Sequence, residues 1–217
     1  MKKISAILFD LDGTLIDTEP MLIDAIKTLI ENKGGTMSRE QAQALVLGRS
    51  ARDIYSEIHL SFPGFFASDQ EIESGVEEIY IEYCRDNDIL IPNSVELLKK
   101  LARIFPTAIV SGSHTRTVRE AASYMGVQDL LSLCLGADDY PKGKPDPGCF
   151  LKAASILDVP PEECLVFEDS EPGVAAAKNA GMHCVGLKRP GAPPQDLSLA
   201  DEIYTDLADF NLPCLED

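Results

Sequence analysis

The chain has 217 residues and a formal net charge of −17 at neutral pH, from 36 acidic side chains against 19 lysines and arginines. That surplus argues against nonspecific binding to nucleic acid or anionic membrane, and any anionic ligand would have to meet a local positive centre. With 45% hydrophobic and 25% charged residues, the composition is that of a soluble globular protein long enough for one full α/β domain plus a smaller appended one.

The first element is the apolar run ISAILF from Ile4, read as a buried strand. Two lysines precede it, as in a signal peptide, but Asp10 interrupts the run and no cleavage site follows. No later stretch approaches the roughly 18 apolar residues of a membrane helix, so a cytoplasmic protein is expected. The six cysteines are scattered without a CxxC pair, which fits buried, reduced thiols.

From Ile16 to Pro92 the pattern is helical throughout. PMLIDAIKTLIEN puts Pro20 in the first turn, Gly34-Gly35 after the end, and either Met21, Ala25 and Leu29 or Leu22, Ile26 and Ile30 on one face. SREQ from Ser38 and SDQE from Ser68 have the spacing of capping boxes that open further helices. Strand-helix alternation resumes near Asn93. NSVELLKKLAR, with Asn93 expected as N-cap, precedes the strand PTAIV; TRTVREAASYMG stops at Gly126 before LSLCL. PGCFLKAASIL leads to CLVF, PGVAAAKNAG leads to HCVGL, and EIYT is a candidate edge strand. The expected architecture is a Rossmann-like, doubly wound parallel sheet (1–15 and 93–217) with a small all-helical domain (16–92) inserted after the first strand.

In such a sheet, ligands bind beyond the carboxyl ends of the strands. Asp10-Leu11-Asp12-Gly13-Thr14 follows the first strand, and Ser111-Gly112-Ser113-His114 follows PTAIV. Asp138-Asp139 and then Lys142 and Lys144 follow LSLCL, and Glu168-Asp169-Ser170 follows CLVF. Several carboxylates on one edge cannot all stay ionised without a cation, and an oxygen-only donor set with no His or Cys favours Mg²⁺ over zinc. The ion, with Lys144, would supply the missing positive centre. Ser111 and nearby backbone N–H groups would meet anionic oxygens.

These motifs resemble those of the haloacid dehalogenase superfamily: DLDGT at Asp10, Ser111 after the second core strand, Lys144 in GKPDP, EDS at Glu168, and GVAAAKNAGM downstream. The resemblance spans nearly the whole chain and implies that the inserted helices form a small cap that opens and closes over the site. It implies that Asp10 is the nucleophile that forms an aspartyl-phosphate and that Asp12 is the general acid and then base. Mg²⁺ would be held by Asp10, the Asp12 carbonyl, Asp169 and, as one of two readings, Glu168. Lys144 and Ser111 would hold phosphoryl oxygens, with Thr14, Gly112 and Ser113 around the substrate. His114 is either a further phosphate contact or an exposed helix-start histidine. Gly48-Arg49-Ser50, with Arg52 beyond, resembles a substrate-facing loop of the cap, which makes Arg49 a candidate specificity residue. His59 and His183 read as structural, and Lys142 as a bystander.

Within the family, Asp12 argues against dehalogenase and phosphonate-hydrolase chemistry, neither of which keeps this acid. β-Phosphoglucomutase is the rival, but its relatives carry a histidine near the position of Leu22. The expected activity is therefore a phosphatase acting on a small phosphorylated metabolite, a sugar or polyol phosphate first. A phosphosugar mutase and an idle binding module are the alternatives. A monomer with a small-molecule substrate and no nucleic-acid or membrane partner is expected.

Overall fold

A computed structural model describes residues 3–46 and 51–212, without the side chains of 51 and 52. The chain divides into two compact units, one of residues 1–16 and 90–217 and the other of residues 17–89.

The first unit is a six-stranded, all-parallel sheet. Its strands are β1 (Ala6–Phe9), β2 (Thr107–Val110), β3 (Leu133–Leu135), β4 (Cys164–Glu168), β5 (His183–Leu187) and β6 (Glu202–Tyr204), in the spatial order β3-β2-β1-β4-β5-β6. This is the doubly wound order, and it reverses direction at β1, which places a switch point between β1 and β4. β1, β2 and β4 are buried along their whole length, as continuous apolar runs in a two-sided parallel sheet should be. EIYT does form the edge strand, pairing with β5.

Four α-helices among the described residues belong to this unit, α5 (Pro92–Leu101), α6 (Thr115–Tyr124), α7 (Gly148–Leu157) and α8 (Glu171–Asn179), and short 3-10 turns complete its connections.

 Among the 3-10 turns, Leu207–Asp209 packs on α5. α7 lies against β1, β2 and β3, while α8 packs on β4 and β5. The core between α7, α8 and the sheet includes Leu8, Val110, Phe150, Val166, Val174 and Met182. One expected detail differs. α5 starts at Pro92, with Ile91 at the N-cap and no side-chain cap, because Pro92 has no N–H to satisfy and suits the first helical position. Asn93 donates from Nδ2 to Asp206 instead, at 2.8 Å.

The second unit is all-helical: α1 (Glu19–Asn32), α2 (Arg39–Val46), α3 (Ala51–Ser61) and α4 (Asp69–Asp86). α1 packs on α2 and α4, and α3 on α4, around Ile26, Ile30, Ile58 and Ile72. The buried stripe of α1 (Ile23, Ala25, Ile26, Leu29, Ile30) draws on both faces considered from sequence, since a core-facing stripe is wider than one i, i+4 row. The capping box at Ser38 forms in full and the one at Ser68 in part. Ser38 and Gln41 bond reciprocally; Ser68 Oγ accepts from the Glu71 N–H, while the Glu71 carboxylate reaches one residue further back, to the Ala67 N–H. The two chain crossings run side by side: Ile16 bridges Leu90, the Asp17 N–H donates to the Ile89 carbonyl and the Ile91 N–H to that of Leu15.

Phe167 ties the sheet to what lies beyond it. Its buried ring stacks on Phe9 at 4.6 Å and meets the edge of Phe210 at 5.0 Å, one residue before Glu168. Phe167→Ala should cost about 3–5 kcal/mol in urea unfolding, and a loss below about 1 kcal/mol would contradict this packing.

Candidate active site

The register of β1 against β4 pairs Phe9 with Phe167, and the Asp10 N–H donates to the Phe167 carbonyl at 2.9 Å. The chain then leaves both strands at the same level, with Asp10 on one side of the switch point and Glu168-Asp169 on the other. Oxygens of Asp10, Glu168 and Asp169 lie within 4.8 Å of one another.

Lys144 enters this cluster from the segment that leads into α7. Its ammonium donates to Asp10 Oδ1 at 2.6 Å, to Glu168 Oε1 at 2.6 Å and to the Val110 carbonyl at 3.1 Å, which uses three N–H bonds. Burial alone would lower the lysine's pKa, but Asp10 and Glu168 outweigh it, and the group is held charged well above its ordinary value. Three carboxylates around one ammonium still leave a negative surplus. Asp10 is pushed up to about 7, by burial first and then by Glu168 and Asp12, against the pull of Lys144. Asp169 is raised by burial and by Asp10 and Glu168.

Glu168 is fully buried, and its oxygens are already engaged. Oε1 takes Lys144; Oε2 accepts from the backbone N–H groups of Asp169 and Ser170 and from the Ser170 hydroxyl, at 2.9–3.1 Å. Gly173, in the first turn of α8, makes room for it, because a Cβ there would collide with this carboxylate. The arrangement favours Glu168 as the anchor of Lys144 over Glu168 as a direct metal ligand. Gly13, at φ +88°, plays the same part for Asp169: a Cβ would strike its carboxylate, and a side chain would strain the backbone. Thr14 is buried, with its hydroxyl 3.5 Å from Asp169 Oδ1, so it faces that carboxylate.

Asp12 is half-buried and receives two hydroxyls on Oδ2, from Ser113 at 2.7 Å and Ser111 at 3.2 Å. Ser111 is buried at the end of β2, and its carbonyl accepts from the Tyr140 hydroxyl at 2.6 Å. Burial holds that phenol protonated, with its pKa pushed up to about 12. Gly112 is exposed beside it.

Some candidates lie apart from the cluster. Asp138 and Asp139 are occupied at the start of α6: Asp138 accepts from the Thr115 N–H, and Asp139 from the Thr115 hydroxyl. His114 is exposed and pairs with Asp138 at 2.9 Å. Lys142 is exposed. Arg49 lies outside the described residues. Sequence reasoning missed Tyr140 and Arg189; Arg189 donates from Nε to the Gly13 carbonyl at 3.0 Å. Only its place after a strand could have marked Arg189.

A buried, oxygen-only group of carboxylates has the chemistry of a divalent-cation site, and Asp10 and Asp169, with Glu168 beside them, could hold such an ion. At the switch point of a doubly wound sheet, this cluster defines a carboxylate-centred α/β enzyme. The chain belongs to the haloacid dehalogenase-like hydrolase family, whose model matches residues 4–181. It is 31% identical to the validoxylamine A 7'-phosphate phosphatase of Streptomyces hygroscopicus subsp. limoneus, over 95% of both chains. It is also 31% identical to (DL)-glycerol-3-phosphatase 2 of Arabidopsis thaliana, over 99% of this chain and 94% of the other. In fold it is similar to a CbbY variant from Rhodobacter sphaeroides crystallised with xylulose-(1,5)bisphosphate, at 24% identity, a TM-score of 0.81 and 99% coverage of each chain.

The raised Asp10 gives a pH signature. Between its ordinary value of 3.8 and about 7 the folded state binds the proton more tightly than the unfolded chain. Without divalent metal, stability should therefore fall as pH rises through that window. Asp10→Asn should flatten the slope, and Mg²⁺ should raise the melting temperature more at pH 8 than at pH 5.5, because binding competes with protons. Thermal melts with EDTA and with Mg²⁺ check both; a stability that rises over this window and is indifferent to Asp10→Asn would contradict the assignment.

Proposed function

We propose that this phosphatase hydrolyses a small sugar or polyol phosphate in two steps through an aspartyl-phosphate on Asp10. The observation that carries the reading is the placement of two unlike carboxylates on one short turn. Asp10 is buried and ion-paired to Lys144, whereas Asp12 is half-buried and bonded to hydroxyls. Such a division suits a nucleophile beside a proton carrier.

In the first step an Asp10 carboxylate oxygen attacks phosphorus, the bond to the substrate oxygen breaks, and Asp12 gives its proton to the departing alkoxide. In the second, Asp12 takes a proton from water as that water attacks phosphorus, which releases inorganic phosphate and restores the Asp10 carboxylate. Lys144 and the Ser111 hydroxyl would meet phosphoryl oxygens, with the Gly112 backbone alongside. Mg²⁺, held by Asp10, Asp169 and the Asp12 carbonyl, would supply charge neutralisation for the transferring group. The helical unit is the proposed cap, with Arg49 as its candidate specificity residue.

The named phosphatase relatives support a hydroxyl-rich small phosphate as substrate. Leu22 supports hydrolysis over mutase chemistry: it offers no titratable group, and it packs against the helical unit's own core.

Asp10→Asn should lower p-nitrophenyl phosphate turnover by at least about 10³-fold, and EDTA should abolish wild-type turnover until Mg²⁺ is restored. Undiminished activity in Asp10→Asn would overturn the mechanism. Against a metabolite panel, sugar and polyol phosphates should lead; preference for nucleoside monophosphates would overturn the substrate class. With β-glucose 1-phosphate and a trace of its bisphosphate, phosphate should be released. Glucose 6-phosphate formed without phosphate release would identify a mutase instead.

A further inference from the structure

We propose that Ser113 is a positioning residue for Asp12: its hydroxyl fixes the carboxyl group so that the proton is delivered to the leaving oxygen. The inference rests on the role of Asp12 given above and assigns Ser113 to Asp12 in place of the substrate phosphate. Its hydroxyl donates to Asp12 Oδ2 at 2.7 Å, shorter than the 3.2 Å bond from Ser111.

The surrounding backbone shows why Ser113 can hold this orientation. The Ser113 N–H donates to Ser111 Oγ at 2.9 Å, and the Ser113 carbonyl accepts from the Ala137 N–H at 2.8 Å. The Ser111 N–H donates to the Leu135 carbonyl at 3.0 Å, while the Ser111 carbonyl takes the Tyr140 hydroxyl. Thr115 is tied by backbone and side chain to Asp138 and Asp139. The loop after β2 is thus laced to the segment after β3 on both sides of Ser113, and its hydroxyl is aimed by main-chain geometry.

The two serines then have different duties. Ser111 is the hydroxyl placed to turn toward a phosphoryl oxygen, and when it does so its bond to Asp12 is given up. The Ser113 bond remains. A carboxyl oxygen accepts a hydroxyl hydrogen bond whether the group is ionised or protonated on its other oxygen. The anchor at Oδ2 therefore survives both halves of the cycle: the proton leaves Oδ1 for the alkoxide in the first step and returns to Oδ1 from water in the second. No oxidant or further reactant is needed.

The test is a leaving-group series. Aryl phosphates from p-nitrophenyl to unsubstituted phenyl differ in how much their leaving oxygen needs a proton. In the wild type with Mg²⁺, kcat/KM should depend only weakly on the acidity of the phenol. In Asp12→Asn the dependence should be steep. Ser113→Ala should steepen it as well, with phenyl phosphate losing roughly tenfold to a hundredfold and p-nitrophenyl phosphate losing several-fold less. Ser113→Cys, which fills the space with a weak donor, should behave as Ser113→Ala does, and Ser113→Thr should restore the shallow slope. Melting curves of each variant identify any that does not fold, and the remaining replacements then carry the comparison.

Equal losses across the series in Ser113→Ala and Ser113→Cys, or no loss, with Asp12→Asn still steep, would overturn the assignment of Ser113 and leave the role of Asp12 standing. An equal loss with a raised KM is what a phosphate-binding serine would give. A shallow slope in Asp12→Asn would overturn the role of Asp12 and the inference with it.

Discussion

The structure turns on one buried ammonium. Lys144 stands between Asp10 and Glu168, bonded at 2.6 Å to each, and takes the Val110 carbonyl as a third partner. Without it, two carboxylates would sit uncompensated at the ends of buried strands, where an unpaired charge is destabilising by several kcal/mol. With it, negative charge is still in surplus, and the raised pKa values of Asp10 and Asp169 express their burial first and that surplus second. A site left electron-rich in this way is ready to take a cation, and through the cation an anion. On the proposed function, such a cation would let a chain with a net charge of −17 take a phosphate.

The same economy explains how neighbouring groups differ. Asp10 and Asp12 are two residues apart on one turn, yet one meets an ammonium and the other meets hydroxyls. Glu168 and Asp169 are adjacent, yet the first is enclosed by four donors and the second faces the turn at Gly13 and Thr14. For the adjacent Glu168 and Asp169, successive side chains at a strand end leave on opposite sides, whereas Asp10 and Asp12 lie beyond the last residue of β1, where the chain has left the strand. The Phe9–Phe167 stack beneath fixes the level at which both pairs emerge.

Much of this was legible in the sequence. Ile7 to Phe9, Ala108 to Val110 and Leu165 to Phe167 are unbroken apolar runs that end on polar residues, so the parallel sheet and its functional edge could be read together. What could not be read was the partner of each polar group. Asp138 and Asp139 looked like members of the carboxylate cluster because they follow a strand, but they bond to Thr115 at the start of α6. Ser113 to Asp12 spans 101 residues and Arg189 to Gly13 spans 176. A hydroxyl or guanidinium brings no periodicity to mark such a pairing; only the packed sheet decides it. Asn93 failed as an N-cap for a local reason, since Pro92 had already taken the first helical position.

Covalent phosphorylation of Asp10 during turnover is tested by chemical trapping. Protein quenched during steady-state hydrolysis and reduced with borohydride converts an aspartyl-phosphate to homoserine, which peptide mass spectrometry locates. Homoserine is expected at position 10, dependent on both substrate and Mg²⁺. Turnover that proceeds with Asp10 unmodified, or with the label on another residue, would contradict it.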